Sequence, residues 1–237
     1  MDHPPTPGGL VVALDGPGSS GKSSVGAAVA LALGYRFIDT GLLYRALTWL
    51  ALDRGIAVAD TSALVGLVDE VRLAPDAHGR LDRVVVDDAD VTDDVHTALV
   101  DRHVSEVASV PAVRAAFLPV QRALAEGGRI VVAGRDIGTV VLPDADLKVF
   151  LDASVEERAR RRVQERGVPP DGPDAERILA ALRRRDELDR GRPVAPLRPA
   201  EDARHVVTDG NTFEQTVAAV AGVIHDAEVA STVEARR

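Results

Sequence analysis

The sequence predicts an α/β fold in which a mostly parallel sheet is covered by helices on both faces. Short apolar runs suited to buried strands alternate along the chain with longer segments of helical spacing. The first run, LVVAL at 10–14, is followed directly by a glycine-rich loop and then by a helical segment. The chain has 237 residues, 46% of them hydrophobic, which is enough for one sizeable core.

The loop after this first strand, GPGSSGKSS at 16–24, fits the phosphate-binding pattern G-x-x-x-x-G-K-[ST]. The strand before it and the helix after it make the predicted sheet one of the P-loop NTPase type. Backbone N–H groups and the helix N-terminus of such a loop surround the phosphates of a nucleoside triphosphate. Lys22 is expected to reach the β- and γ-phosphates, and the Ser23 hydroxyl to bind Mg²⁺. The predicted ATP-binding residues are Gly16, Pro17, Gly18, Ser19, Ser20, Gly21, Lys22, Ser23 and Ser24.

The other elements follow in chain order. A helix at 25–34 stops at Gly34, a strand covers 35–39, and a second helix covers 42–55. Residues 70–95 contain short β-type runs around the turn DAHGRLD and predict a small β excursion of two or three strands. Further strands are predicted at 129–134, 147–152 and 203–209, and further helices at 97–109, 112–127 and 213–227.

An arginine-rich segment follows the strand at 147–152, with 11 arginines between positions 158 and 192. Ser154 and Glu157 have the spacing of a capping box, so a helix is expected to begin there. Two helices separated by VPPDGPD are typical of a mobile lid over phosphates. A solvated Arg/Glu surface helix gives the same pattern. Because a phosphate loop is present in the same chain, we favour a lid over about residues 154–176.

Composition restricts the class of protein. The net charge of −9 and the 3% aromatic content argue against a general nucleic-acid or anionic-membrane binder. No run of about 20 apolar residues and no signal peptide are predicted, and the lack of cysteine excludes disulfides. We expect a cytoplasmic protein with a single domain at 10–228 and disordered tails at 1–9 and 229–237.

The loop alone leaves a motor, a switch and a kinase open. A GTPase switch should contain an N-K-x-D motif, which is lacking, and a motor ATPase should have further coupling domains. A small ATP-dependent kinase fits what remains, and a phosphate acceptor would need a basic site. Arg45, Arg114 and Arg135 are candidates outside the arginine-rich segment. Arg135 and Asp136 follow a strand at its carboxyl end, where ligands of parallel sheets bind, although either could be an ordinary surface residue or cap.

Five segments resemble bacterial cytidylate kinases, in family order and over roughly residues 10–225. They are LDGPGSSGKSS, IDTGLLYRAL, VSEVASVPAVR, GRDIGTVVLPDADLKVFLDASVEERARRR and RRRDELDRGRPVAPL. The resemblance implies transfer of the γ-phosphate of ATP to CMP or dCMP by a monomer. It also implies a core at 10–40, 128–152 and 193–228, an inserted CMP-binding subdomain at about 41–127, and the short Arg-rich lid.

The resemblance further implies roles for the residues of the acceptor site and the lid. Ser105, Arg114 and Asp136 would recognise cytosine, because a carboxylate accepts a hydrogen bond from the N4 amino group that uracil lacks. The CMP phosphate would be clamped by Arg45, Arg135 and Arg192, with Thr40 nearby, and the ribose would be bound by Arg185 and Asp189. The implied catalytic residues are Lys22, Arg135, Arg158, Arg161, Arg162 and Arg192, of which Arg158, Arg161 and Arg162 belong to the lid.

Two positions depart from the family pattern. Ala133 stands where many members have Glu or Asp, so Mg²⁺ would need another carboxylate, for which Asp15 and Asp39 are candidates. Leu42 stands where Ala is usual, beside the acceptor pocket. Two alternatives stay open: a kinase of the same fold for UMP, AMP or another small acceptor such as shikimate, and a non-catalytic nucleotide-binding regulator. Ala133 is the only feature that favours the regulator.

Overall fold

The computed structural model describes residues 9–76 and 80–234 and is built around one sheet of eight strands. The strands are β1 (Val11–Asp15), β2 (Arg36–Asp39), β3 (Val71–Pro75), β4 (Leu81–Val86), β5 (Ala89–Asp90), β6 (Ile130–Gly134), β7 (Leu147–Asp152) and β8 (Arg204–Val207). Their order is β3-β4-β2-β6-β1-β7-β8, with β5 paired to β4. The predicted tail at 1–9 lies outside the described residues except for Gly9.

Five of these strands form a parallel core with β1 at its centre. Val12 of β1 is in register with Val131 of β6 on one side and with Leu147 of β7 on the other. The strands β2 and β8 extend this core in parallel at its two sides. Parallel order brings the carboxyl ends of all five strands to one edge of the sheet, where ligands of such folds bind. The predicted fold class is therefore confirmed.

The predicted β excursion is a three-stranded antiparallel unit made of β3, β4 and β5. It extends the main sheet, because β4 also runs parallel to β2 and pairs Leu81 with Ile38. The predicted turn DAHGRLD includes residues 77–79, which lie outside the described part of the chain.

Helices cover both faces of the sheet at nearly the predicted positions. They are α1 (Lys22–Leu33), α2 (Gly41–Asp53), α3 (Thr61–Gly66), α4 (Ala98–Val107), α5 (Pro111–Ala125), α6 (Val155–Arg166), α7 (Pro173–Arg190) and α8 (Phe213–Glu234). The helix α1 ends at Gly34 in the left-handed conformation, as its sequence predicts. The short helix α3 was not predicted, since six residues give too little periodicity.

The last helix, α8, is longer than the helix predicted at 213–227. It continues to Glu234, so a disordered tail from 229 is wrong for 229–234, and residues 235–237 lie outside the described part. By length and composition alone, Phe213–Val233 would be sufficient to cross a membrane, although no such run was expected. In the fold, Val220 and Ile224 of this helix are fully buried in the core cluster that includes α1 and β1.

The arginine-rich segment forms the helix pair α6 and α7, which has its own small apolar cluster. Ala159 and Val163 of α6 pack with Ile178 and Leu182 of α7. Ser154 caps α6 by accepting a hydrogen bond from the Glu157 N–H at 3.2 Å, as the capping spacing predicts. The mobility of this pair as a lid stays a prediction.

The close packing of α1 on the sheet leads to a stability prediction at Gly26. A Cβ atom at this position would lie 2.6 Å from Cε2 of Phe37 and 3.0 Å from Cδ2 of Leu14. Gly26→Ala should therefore lower the free energy of unfolding by about 1–3 kcal/mol in urea denaturation. The matched control is Gly222→Ala in α8. A Cβ atom added there would have no packing contact within 4 Å outside the helix's own backbone and the adjacent residues. That change should be neutral or should stabilise by up to about 1 kcal/mol. Equal stability of the two variants would contradict the packing.

Candidate active site

A cavity of about 1290 Å³ lies at the carboxyl edge of the parallel strands. It extends from the phosphate loop to α4 and α5 and collects most of the residues predicted for the site. The predicted residues that line it are Ser19, Gly21, Lys22, Ser23, Ser24, Thr40, Arg45, Ser105, Arg114, Arg135, Asp136, Arg161, Arg162, Arg185, Asp189 and Arg192. Gly16, Pro17, Gly18, Ser20 and Arg158 are not among the lining residues.

The phosphate loop joins β1 to α1 in a conformation that requires glycine at its start. Gly16 has φ +155°, and a Cβ atom there would lie 2.1 Å from the Leu151 carbonyl oxygen of the neighbouring β7. Lys22 begins α1, and its ammonium donates to the Pro17 carbonyl at 2.6 Å and to Ser20 Oγ at 3.2 Å. Burial, and secondly the charge of Arg135, lower the pKa of Lys22 well below its usual value. Lys22 and Arg135 thus place two positive charges close to each other beside the phosphate loop.

Asp39 is the carboxylate nearest to the predicted metal ligand Ser23. The Ser23 hydroxyl donates to Asp39 Oδ2, and Asp39 Oδ1 accepts from the Gly41 N–H at 2.9 Å. Asp39 ends β2 and is in register with Ala133 of the adjacent strand β6. A carboxylate is therefore present one strand away from the position where Ala133 lacks one.

Asp15, the other candidate ligand for the metal, is hydrogen-bonded to two backbone N–H groups. Its two carboxylate oxygens accept from the Ile137 N–H at 2.8 Å and from the Gly138 N–H at 2.7 Å. Burial raises the pKa of Asp15 to about 6, against the lowering effect of these two hydrogen bonds. Asp15 therefore fastens the turn after β6, which contains Arg135 and Asp136, to the strand that precedes the phosphate loop.

The far end of the cavity is built around a buried ion pair. Arg114 of α5 donates to Asp136 Oδ2 and, at 3.2 Å, to the Ala108 carbonyl. Its guanidinium lies 5.4 Å from the ring centroid of Tyr44, a distance at which a cation–π interaction contributes. Ser105 Oγ is buried in the same region and has no hydrogen-bond partner within the described residues. The three residues predicted to recognise cytosine thus line one cavity together with Tyr44.

Tyr44 is a cavity residue that the sequence analysis missed. Its hydroxyl is buried, and burial raises its pKa to about 12. The ring also packs edge-on against Phe117, with centroids 5.2 Å apart. Its place directly before Arg45 in GLLYR was the available signal, but Tyr44 could also have been a simple core residue.

A single aspartate holds two of the arginines predicted to clamp the acceptor phosphate. Asp189 of α7 accepts from Arg135 Nε at 2.9 Å and from an Arg192 N–H, and its side chain is 1% exposed. The family resemblance implies that Asp189 binds the ribose, whereas in the fold both of its carboxylate oxygens accept from guanidinium groups. Thr40 lies nearby in the fold and donates to the Ala133 carbonyl at 2.9 Å.

Arg45, the third predicted clamp residue, forms an ion pair with Asp101 of α4 at 2.6 Å. The same carboxylate lies 3.2 Å from Arg166 and 3.8 Å from Arg162, both on α6. Asp101 is not among the residues predicted from the sequence for this site. It connects Arg45 of α2 to the arginines of α6. Burial acts to raise the pKa of Asp101, but the neighbouring arginines, Arg45 foremost, outweigh it and lower the pKa below its usual value.

Of the three predicted lid arginines, Arg161 and Arg162 line the cavity and Arg158 does not. Arg158 is 2% exposed and donates to both carboxylate oxygens of Asp186 on α7. It also donates to the Gly18 carbonyl at 3.0 Å. The three lid arginines therefore have different positions: Arg158 links α7 to the phosphate loop, whereas Arg161 and Arg162 face the cavity.

The phosphate loop at the start of α1, the parallel sheet and the arginine-lined cavity define a phosphotransferase of the P-loop class. Comparison with known proteins identifies the family. The cytidylate kinase family model matches residues 12–226. The chain therefore belongs to the cytidylate kinase family, and the predicted enzyme class, a nucleoside monophosphate kinase, is confirmed.

Individual relatives cover nearly the whole chain. Cytidylate kinase from Geobacillus kaustophilus is 45% identical over 222 residues, which are 92% of this chain and 97% of the relative. The Mycobacterium avium enzyme of the same name is 47% identical over 209 residues, 88% and 92% of the two chains. That of Limosilactobacillus fermentum is 44% identical over 219 residues, 91% and 96%.

The environment of Asp15 leads to a prediction about pH. A pKa of about 6 in the folded chain, against about 3.9 in an unfolded one, means that the folded state holds the proton more tightly. The resulting stabilisation is present at low pH and is lost as pH rises through about 6. We expect the unfolding free energy of wild type minus that of Asp15→Asn to fall by about 1 kcal/mol between about pH 5 and pH 7.5. Urea denaturation of both proteins measures this difference, and parallel pH profiles would contradict it.

Proposed function

We propose that the cavity binds ATP at the phosphate loop and CMP or dCMP at the end formed by α4 and α5, and transfers the γ-phosphate between them. The observation on which this rests is the series of cations that connects the two ends. Lys22, Arg135 and Arg185 interact electrostatically beside the loop, and Arg135 in turn interacts with Arg192. Two polyanionic substrates that meet in one cavity require such a bridge of positive charge.

At the acceptor end, the Asp136–Arg114 pair matches the hydrogen-bonding pattern of cytosine. The Asp136 carboxylate accepts hydrogen bonds only, as the N4 amino group of cytosine requires, and the Arg114 guanidinium donates to the ring acceptors. Uracil has a carbonyl oxygen in place of the N4 amino group. Two hydrogen-bond acceptors, this oxygen and the Asp136 carboxylate, would then face each other without a proton between them. Because the pair is buried, such a mismatch is not relieved by water.

Phosphoryl transfer then requires mainly alignment and neutralisation of charge. Arg45, Arg135 and Arg192 would hold the phosphate of CMP, with one of its oxygens in line with the γ-phosphorus of ATP. Lys22 would follow the charge on the β- and γ-phosphates. The cavity-facing lid residues Arg161 and Arg162 would cover the transferring group and exclude water, whose attack would hydrolyse ATP instead.

Magnesium is expected to accompany ATP, and the donor set fits it in part. Among the described residues there is no group of three or more His, Asp or Glu side chains able to hold a metal ion on their own. The hydrogen-bonded pair of Ser23 and Asp39 offers a hydroxyl and a carboxylate, and Mg²⁺ commonly takes its other ligands from water and substrate phosphates. The ion would neutralise charge on the β- and γ-phosphates.

The protein is further proposed to act as a cytoplasmic monomer without nucleic acid or membrane. The proposal of a monomer follows from the resemblance to bacterial cytidylate kinases. The net charge of −9 opposes association with other polyanions.

A steady-state comparison of CMP, dCMP, UMP and AMP, with ATP as donor, tests the acceptor. The values of kcat/KM for CMP and dCMP should exceed those for the other two. A higher value for UMP or AMP would favour another monophosphate kinase, and ADP formation independent of CMP would contradict the transfer.

Replacing Asp136, the proposed hydrogen-bond acceptor for the cytosine amino group, should reduce the discrimination between CMP and UMP. Asp136→Asn introduces an amide donor opposite the position where uracil has its carbonyl oxygen. We expect the ratio of kcat/KM for CMP to that for UMP to fall by about tenfold or more. The ratio is the test, because weaker folding from the loss of the Arg114 pair lowers both rates alike. An unchanged ratio would remove Asp136 from base recognition.

The proposed role of Asp39 is tested through the metal. Asp39→Asn keeps the size of the side chain and removes its charge, so the apparent affinity for Mg²⁺ should fall by about 10- to 100-fold. Calorimetric titration of ATP with and without Mg²⁺ should show a smaller enhancement by the metal than in wild type. The exposed Asp144→Asn serves as the control and should behave as wild type. Equal Mg²⁺ dependence in both variants would contradict the role.

A further inference from the structure

Asp101 of α4 is the point at which three arginines from two other helices meet. Its Oδ1 lies 2.6 Å from the guanidinium of Arg45 on α2, and its Oδ2 lies 3.2 Å from Arg166 and 3.8 Å from Arg162 on α6. Arg162 and Arg166 are four positions apart, so they share one face of α6. One carboxylate therefore connects a proposed clamp residue of the acceptor to the arginine-rich helix pair.

The two ends of α6 are attached to opposite sides of the cavity. Near its beginning, Arg158 donates to the Gly18 carbonyl of the phosphate loop at 3.0 Å. At its end, Asp101 makes every ion pair between α6 and α4 that occurs in the described part of the chain. Arg166 has no other ion-pair partner in residues 9–76 and 80–234. The ionic attachment of α6 to the acceptor side of the cavity thus depends on Asp101.

Asp101 carries a stable negative charge, but its partners carry more positive charge than it neutralises. It lies in the first turn of α4, where the helix dipole favours an anion. Burial acts to raise its pKa, and Arg45 and Arg162 together outweigh this and lower it. The exposed Glu165 lies 3.4 Å from Arg162, so two carboxylates face three guanidinium groups. An acceptor phosphate at Arg45 would add the negative charge that this cluster lacks.

We propose that Asp101 is a positioning residue that couples the binding of the acceptor to the covering of the cavity by α6. The inference rests on the proposed function, because it takes Arg45 as a clamp residue and Arg162 as a residue that excludes water. An acceptor phosphate strengthens the attraction between α4 and the end of α6, and so favours the arrangement in which the cavity is covered.

The chemical consequence concerns which oxygen attacks the γ-phosphorus. In transfer, the γ-phosphorus exchanges its bond to the bridging oxygen of ADP for a bond to an oxygen of the CMP phosphate. In the side reaction, the oxygen of a water molecule takes that place, its proton passes to the solvent, and inorganic phosphate is released. Asp101 forms and breaks no bond in either reaction. A firmer attachment of α6 favours transfer because it excludes water.

The partition between the two products tests the coupling. Asp101→Asn and Arg166→Gln are compared with wild type at saturating ATP, Mg²⁺ and CMP, and free phosphate and CDP are measured in the same sample. The ratio of phosphate to CDP should rise by about fivefold or more in Asp101→Asn. It should rise by about two- to fivefold in Arg166→Gln, which keeps the Arg45 pair and loses one half-exposed ion pair. An unchanged ratio in both variants would overturn the proposal.

Matched controls come from the same elements. Glu106→Gln on α4 and Arg177→Gln on α7 remove ion pairs that stay within one helix, and both should keep the wild-type ratio. The double variant Asp101→Asn/Arg166→Gln should have nearly the ratio of Asp101→Asn alone, since the second change finds its pair already broken. Fully additive effects would contradict action through this pair.

A distance measurement gives a reading that does not depend on turnover. The chain has no cysteine, so spin labels can be attached at two introduced cysteines, Leu99→Cys on α4 and Glu176→Cys on α7, both at exposed positions. Pulsed EPR then measures the label-to-label distances with and without CMP. CMP should narrow their distribution, and Asp101→Asn should remove most of this narrowing. Equal narrowing with and without the substitution would overturn the coupling.

The inference and the proposed function can fail separately. Wild-type protein that shows no CMP-dependent formation of ADP would contradict the function itself. Normal CMP turnover with an unchanged product ratio in Asp101→Asn would contradict only the role of Asp101. The ratio compares two products of one sample, so a loss of folded protein lowers both alike and does not imitate the expected result.

Discussion

Repulsion between arginines at the carboxyl edge of the sheet is the constraint that the architecture of the site has to satisfy. Guanidinium groups stay charged when they are buried, so each needs a carboxylate or another acceptor nearby. The structure supplies an aspartate for five of these arginines: Asp136 for Arg114, Asp186 for Arg158, Asp189 for Arg135 and Arg192, and Asp101 for Arg45. The arginines proposed to contact phosphate are thus held in place by aspartates, which would not contact phosphate themselves.

This arrangement makes α7 the element that joins the two halves of the site. Asp186 is linked through Arg158 to the phosphate loop, and Asp189 pairs with Arg135 and Arg192, two arginines of the proposed acceptor clamp. From the opposite side, Asp15 fastens the turn with Arg135 and Asp136 to the strand that begins the loop. The residues proposed for the two substrates are therefore fixed relative to the phosphate loop by side chains from β1 and α7, and not by the loop alone.

The sequence predicted the parts of this protein that depend on local pattern. The phosphate loop, the parallel strands and most helices follow from apolar runs, glycines and a capping serine. Contacts between distant segments could not be predicted in this way. Nothing local shows that β4 pairs with β2, that Arg158 turns towards α7, or that Asp101 meets Arg45 across 56 positions. Each depends on how whole elements pack.

The position of Asp39 bears on whether the chain could be a nucleotide-binding regulator without turnover. That alternative rested on Ala133 alone, because a missing carboxylate would weaken the hold on Mg²⁺. In parallel strands, residues in register point to the same face of the sheet at a spacing of about 4.8 Å. Asp39 is the register partner of Ala133 and is hydrogen-bonded to Ser23, so a negative charge is available beside the expected ion. The argument for a regulator therefore loses its one supporting feature, while the proposed acceptor clamp and the proposed base-recognising pair of Asp136 and Arg114 favour a protein with a second substrate.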